Sequence, residues 1–178
     1  MITQSTSIVV DLSVQIVATV IGGIVLALIF FLVRDKIYRL PALSGLWTFW
    51  STTETTSYKP YREMHLVFLV LLVQEGNRLT GTGEKIKEVT SSGIKEYVGK
   101  HRTHIQITGF IIQRFFSADE CIIHIKEAGE LRDSSTIHNL KVTNESSLHG
   151  TFVSTVANQT GRTCWTRGNS EYSFTQTL

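Results

Sequence analysis

The sequence predicts a membrane-anchored all-β protein: an N-terminal transmembrane helix followed by a small antiparallel up-and-down β-barrel of about eight strands. Three observations carry that expectation. Residues 16–33, IVATVIGGIVLALIFFLV, contain no charged side chain. Beyond Pro41 the pattern changes from helical to strand-like, with short β-branched and aromatic runs separated by turn residues. A Gly-x-Trp, Gly45 and Trp47, opens the first of those runs.

The apolar run comes first. A hydrocarbon core of about 30 Å takes about 20 apolar residues to cross as a helix. Extended back to Ile8, the run is interrupted by Asp11, Ser13 and Gln15 alone among polar residues other than Thr19. A cleaved signal peptide would need a basic leader and a small-residue cleavage site, whereas this chain starts MITQSTS and the run ends in FFLVRDK. An uncleaved anchor is therefore expected over residues 1–41. Arg34, Lys36 and Arg39 follow it, and by the positive-inside rule the residues beyond 34 lie in the cytoplasm. Thr19, Gly23 and Ala27 recur every four residues on one helix face, the spacing at which small side chains let helices approach in lipid. Self-association through that face is one reading; the ordinary abundance of small residues in membrane helices is the other. The link from 34 to 41 is too short and too charged for a flexible tether, so helix and barrel are expected to move together.

Residues 42–178 form the second expected domain. Strands are predicted over 45–53, 64–74, 78–88, 101–113, 121–127, 136–143, 148–156, 162–166 and 170–176, with EGN, SSG, EAG, NESS, NQTG and RGN as breakers. Short antiparallel strands with tight turns describe a closed barrel or a sandwich. Met64 to Val73, MHLVFLVLLV, is apolar on both faces and too short to cross a membrane, so a doubly buried strand is expected there, one side facing the barrel interior and the other covered by a helix, a partner subunit or the membrane surface. Gly81 and Gly83 fall in phase with Leu79, where a missing side chain lets strands bend at a barrel corner.

A net charge of +2 with 18 % charged residues excludes a disordered chain and a strongly basic DNA- or RNA-binding surface. Any anionic ligand must be held by local charges. Cys121 and Cys164 belong to no CxxC; an even count permits a disulfide, but in a cytosolic domain free buried thiols are expected. No enzyme is expected: His101 and His104 would face opposite sides of a strand, Glu84 and Glu88 would share a face without partners, and no nucleophile, phosphate-loop or dinucleotide motif is present. No metal and no cofactor follow from the residues.

The Gly-x-Trp on a first strand resembles the lipocalin-type barrel, in which that Trp plugs one end. The opening Leu43-x-Gly45-x-Trp47, the run Gln74, Gly76, Leu79, Gly81, Gly83, and the anchor joined directly to a small barrel together resemble a bacterial anti-phage class. These are the membrane-anchored β-barrel effectors of cyclic-oligonucleotide signalling (CBASS), the SMODS-associated two-transmembrane β-strand-rich effectors. The resemblance implies a cytoplasmic barrel at the bacterial inner membrane that binds a cyclic dinucleotide made by a partner nucleotidyltransferase. Binding would drive the chains into a homo-oligomer that disrupts the bilayer and kills the cell. One spanning segment is found where the class has two.

A cyclic dinucleotide needs Arg or Lys for its phosphates and aromatic faces for its bases. The candidates are Trp50, Tyr61, Arg102, His104, Arg114 and Arg167. Arg102, His104, Gln106 and Thr108 make a polar row, either a solvated outer face or a polar lumen. Arg167 either meets phosphate or caps the barrel; Trp47 is expected to be the plug. The competing readings are a membrane-tethered lipocalin-like carrier of an apolar ligand, with an aliphatic lumen, and a structural barrel filled by its own side chains.

Overall fold

The computed structural model describes residues 2–37, 39–114, 117–129 and 133–168, which divide into two compact units, Met1–Arg39 and Leu40–Leu178. The first is a single helix, α1 (Ile2–Ile37). Its segment Leu12–Val33 is 22 residues long with a mean hydropathy of 3.0 and 0 % of it buried. Among the described residues it is the one helix long and apolar enough to cross a membrane. The Thr19 hydroxyl donates to the Gln15 carbonyl at 2.8 Å, which satisfies it within its own helix as an apolar setting demands. A Cβ built on Gly23 meets nothing within 4 Å in its own chain.

The second unit contains β1 (Gly45–Thr55), β2 (His65–Glu75), β3 (Arg78–Thr90), β4 (Gly93–Glu96), β5 (His104–Ile112), β6 (Glu120–Glu127), β7 (Ser134–Asn144), β8 (Ser147–Ser154) and β9 (Thr160–Arg167). Neighbours pair antiparallel in the order β2-β1-β9-β8-β7-β6-β5-β3-β4, and a further β2–β3 pairing closes eight strands into a barrel. Closure leaves those eight without a free edge. β4 pairs with β3 alone and extends one rim. Eight of the expected strands are present; β4 was not expected, and the expected run 170–176 lies outside the described residues.

Period-two alternation decides which side each residue takes. On β5, Ile105, Ile107 and Ile111 are buried while His104, Gln106 and Thr108 are exposed. The polar row is thus the solvated outer face, not the lumen. Inside one half of the barrel, Trp47, Leu72, Leu79, Cys121, Ile123, Leu140, Leu148 and Trp165 pack at 1 % exposure or less. The rings of Phe68, Phe49 and Trp165 form a continuous stack, with centroids 4.6 and 4.2 Å apart. On β2 the inward side is buried as expected, and the outer side is covered by the barrel only in part. Phe68, Val70 and Leu72 face inward and Val67 is covered, but Leu71 and Val73 are about half exposed because no other part of the barrel lies over them.

Two local devices shape the wall. Gly81 and Gly83 let β2 come close: a Cβ on either would stand within 2.5 Å of the Leu71 carbonyl oxygen or the Val70 side chain. In β3, Val67 pairs with Lys87 and Phe68 with Lys85, so Ile86 is an extra residue, a β-bulge. The bulge shifts the phase by one, which puts Glu84 outside and Glu88 inside and overturns the expectation that they share a face. Both cysteines are free, Cys121 within the core and Cys164 on β9 at intermediate burial.

Candidate functional site

The two ends of the barrel differ. At the end where β1 begins and β9 finishes, Trp47 is fully buried and its Nε1 donates to the Leu43 carbonyl at 2.9 Å. The Arg167 guanidinium lies 5.0 Å from the Trp47 ring and donates to the carbonyls of Glu145, Ser44 and Ala42. The Gln74 side chain accepts from the Leu43 N–H at 2.7 Å. This end is closed.

The opposite end opens into a cavity of about 390 Å³, within the range of roughly 300–1,000 Å³ usual for small-molecule sites. Its floor is aromatic: Phe49, Phe68, Phe152 and His138. Above them stand Ser51, Thr136, Ser154 and Gln159, then the charged and hydroxyl groups Lys85, Glu127, Glu88 and Thr103. The rim comes from β4, which supplies Lys95, from the segment between β4 and β5, which supplies Tyr97 and His101, and from the loop after β1, which supplies Tyr61.

Each charged group is positioned by something specific. Lys85 is in phase with Leu79, Gly81 and Gly83, so strand alternation carries it inward. Its ammonium pairs with Glu127 on β6 and lies 5.8 and 5.7 Å from the ring centroids of Phe68 and Tyr97. Both members of that pair are largely buried, at 13 % and 17 % side-chain exposure, so each charge depends on the other. Lys95 is exposed, with its Nζ 4.8 Å from the Tyr97 centroid. The Tyr97 hydroxyl donates to Glu88 at 2.9 Å, and Arg102 holds the rim by donating to the Tyr97 carbonyl and to Glu84. His138 is buried among rings, and burial pushes its pKa down to about 3, so it is neutral at physiological pH.

The residues nominated from sequence are scattered. Tyr61 lines the cavity. Arg102 braces the rim from outside, and His104 is on the outer wall beside Glu84. Trp50 is in register with Val67 and Cys164 on the outer face. Arg114 pairs with Glu120 at 2.9 Å, where β6 begins, and so belongs with Arg167 to the closed end. Lys85, Lys95, Tyr97, Glu127 and His138 were not nominated. The signal for two of them was present: Lys85 and Glu127 each continue a strand phase that is otherwise apolar or glycine, whereas His138 is in step with Leu140 and Val142 but also with Ser134 and Thr136.

The arrangement can accept a flat group against aromatic rings and an anionic group at a lysine-bearing mouth. Among the described residues no His, Cys, Asp or Glu cluster could hold a metal ion. Fold and site define a class: a small closed antiparallel barrel, plugged at one end and carrying a polar, aromatic cavity at the other, in a chain that also has a membrane-length helix. Compared with known proteins, the chain matches no family model and no curated sequence.

Proposed function

We propose that the barrel is the receptor of a membrane-anchored effector and that its activating ligand is a cyclic dinucleotide. The observation that carries this is the mixed lining of the cavity, aromatic at the floor and lysine-bearing at the mouth. Aromatic faces suit a base and ammonium groups suit a phosphate. On this reading the barrel lies in the cytoplasm of a bacterium, α1 anchors the chain in the inner membrane, and ligand binding favours a homo-oligomer whose clustered helices breach the bilayer. A nucleotidyltransferase would supply the ligand, and the outcome is death of the infected cell.

Lys85 already has Glu127 as counter-ion, so an arriving phosphate competes with a carboxylate for the same ammonium. Calorimetry of the full chain in detergent tests this. Lys85→Met should weaken binding of the preferred cyclic dinucleotide roughly tenfold or more, the size of one lost charge-assisted hydrogen bond, and Glu127→Gln should strengthen it. Equal affinities in all three proteins would remove phosphate from this mouth. The lipocalin-like carrier has less support: Met64, Leu66, Ile125 and Val156 are the aliphatic part of a lining otherwise polar and aromatic. The open volume likewise speaks against a barrel filled by its own side chains.

A further inference from the structure

Within the receptor reading, on which this inference rests, one buried group is set to read the ligand's base. His138 is 2 % exposed yet lines the cavity. The indole N–H of Trp165, which can only donate, points at His138 Nδ1 from 3.3 Å. A neutral imidazole that accepts at Nδ1 carries its proton on Nε2. The rings of Phe49, Trp165 and Phe152 enclose the imidazole at 5.3, 5.8 and 5.8 Å between centroids and fix its plane. Nε2 bonds to none of the described residues. No sealed side-chain nitrogen or oxygen among them lacks a partner, so Nε2 is not sealed in the wall, and its open edge faces the cavity.

We infer that His138 Nε2–H donates a hydrogen bond to an acceptor on a nucleobase, so that the ligand enters base first and leaves its phosphate at Lys85 and Lys95. The exposure gradient sets that polarity: His138 is buried, Lys85 partly so, and Lys95 exposed. A ligand with no acceptor at that point strands a buried donor, which makes His138 a specificity-determining residue rather than only an affinity contact.

The test uses the full chain in detergent, titrated calorimetrically with cyclic dinucleotides carrying adenine, guanine or uracil, with thermal melts of each variant alongside. His138→Phe keeps a ring but loses both nitrogens, and its affinity should fall roughly tenfold or more. His138→Gln can still accept from Trp165 and donate to the ligand, and should stay within a few-fold of the wild type. Should His138→Phe fail to fold, the wild-type histidine nitrogen spectrum decides: it should show the Nε2–H tautomer, with that proton shifting when ligand saturates the protein. Unchanged affinity in a folded His138→Phe, or an Nε2–H resonance that ignores the ligand, overturns the assignment and leaves the receptor reading standing. A wild type that binds no cyclic nucleotide removes both.

Discussion

His138 shows how a single side chain links stability to pH. In the unfolded chain its imidazole takes up a proton near its ordinary value of 6.5, while burial holds the folded group down to about 3. Its contribution is therefore present above pH 6.5 and is lost as pH falls toward 3, at roughly 1.4 kcal/mol per pH unit. Burial also lowers the pKa of His65, which acts in the same direction. Melting temperatures should fall on acidification from pH 7 to 4, and more steeply for the wild type than for His138→Gln; parallel curves would contradict this assignment. Arg167 carries a second residue-scale prediction. Its guanidinium is committed to three backbone carbonyls at the closed end, so Arg167→Met should cost about 1–3 kcal/mol in denaturant unfolding and leave ligand affinity unchanged. A loss of affinity without a loss of stability would move Arg167 back among the ligand contacts. Sequence left the choice between cap and phosphate contact open because a cation beside a Trp looks the same in either role.

Strand phase explains both what was legible and what was not. Alternation along a strand identifies its two faces from sequence alone, and the Ile105, Ile107 and Ile111 phase of β5 already marked the Arg102–Thr108 row as the outer one. The same rule would have selected Glu127, in step with Cys121, Ile123 and Ile125. The lumen is marked by charges that continue an apolar phase, not by arginines and tryptophans as residue types. The bulge at Ile86 is different. Nothing in KIKE distinguishes a continuous strand from one with an inserted residue, so the inward turn of Glu88 was not readable. Glycines mark another limit, since a sequence shows the missing side chain but not what approaches it. A Cβ on Gly161 would stand 1.9 Å from the Thr52 carbonyl oxygen and 2.9 Å from the Phe152 ring. Gly161→Ala should therefore push β1 and β9 apart and destabilise the barrel by about 1–3 kcal/mol, read as a lowered denaturation midpoint. An unaffected midpoint would mean that the seam between those strands is softer than its register implies.

At the scale of the whole molecule, the chain carries a closed barrel with an open cavity and a helix long and apolar enough to cross a membrane. Fold class and the positions of eight strands were legible because hydrophobic period and turn residues agree along the chain. The cavity was not, because its walls come from strands distant in sequence and its volume depends on which side chains are small. The proposed output depends on the Thr19, Gly23 and Ala27 face. Since a Cβ at Gly23 meets nothing in its own chain, Gly23→Leu should leave the fold intact and weaken only contacts between copies. Energy transfer between labelled chains in vesicles should drop for that variant, whereas undiminished transfer would exclude this face. The central claim rests on the cavity itself. Calorimetric titration of the full-length protein in detergent with a panel of cyclic di- and trinucleotides measures it most directly. The account predicts saturable binding of at least one cyclic dinucleotide, weakened by Lys85→Met and unaffected by Arg167→Met; no binding to any member of the panel would contradict it.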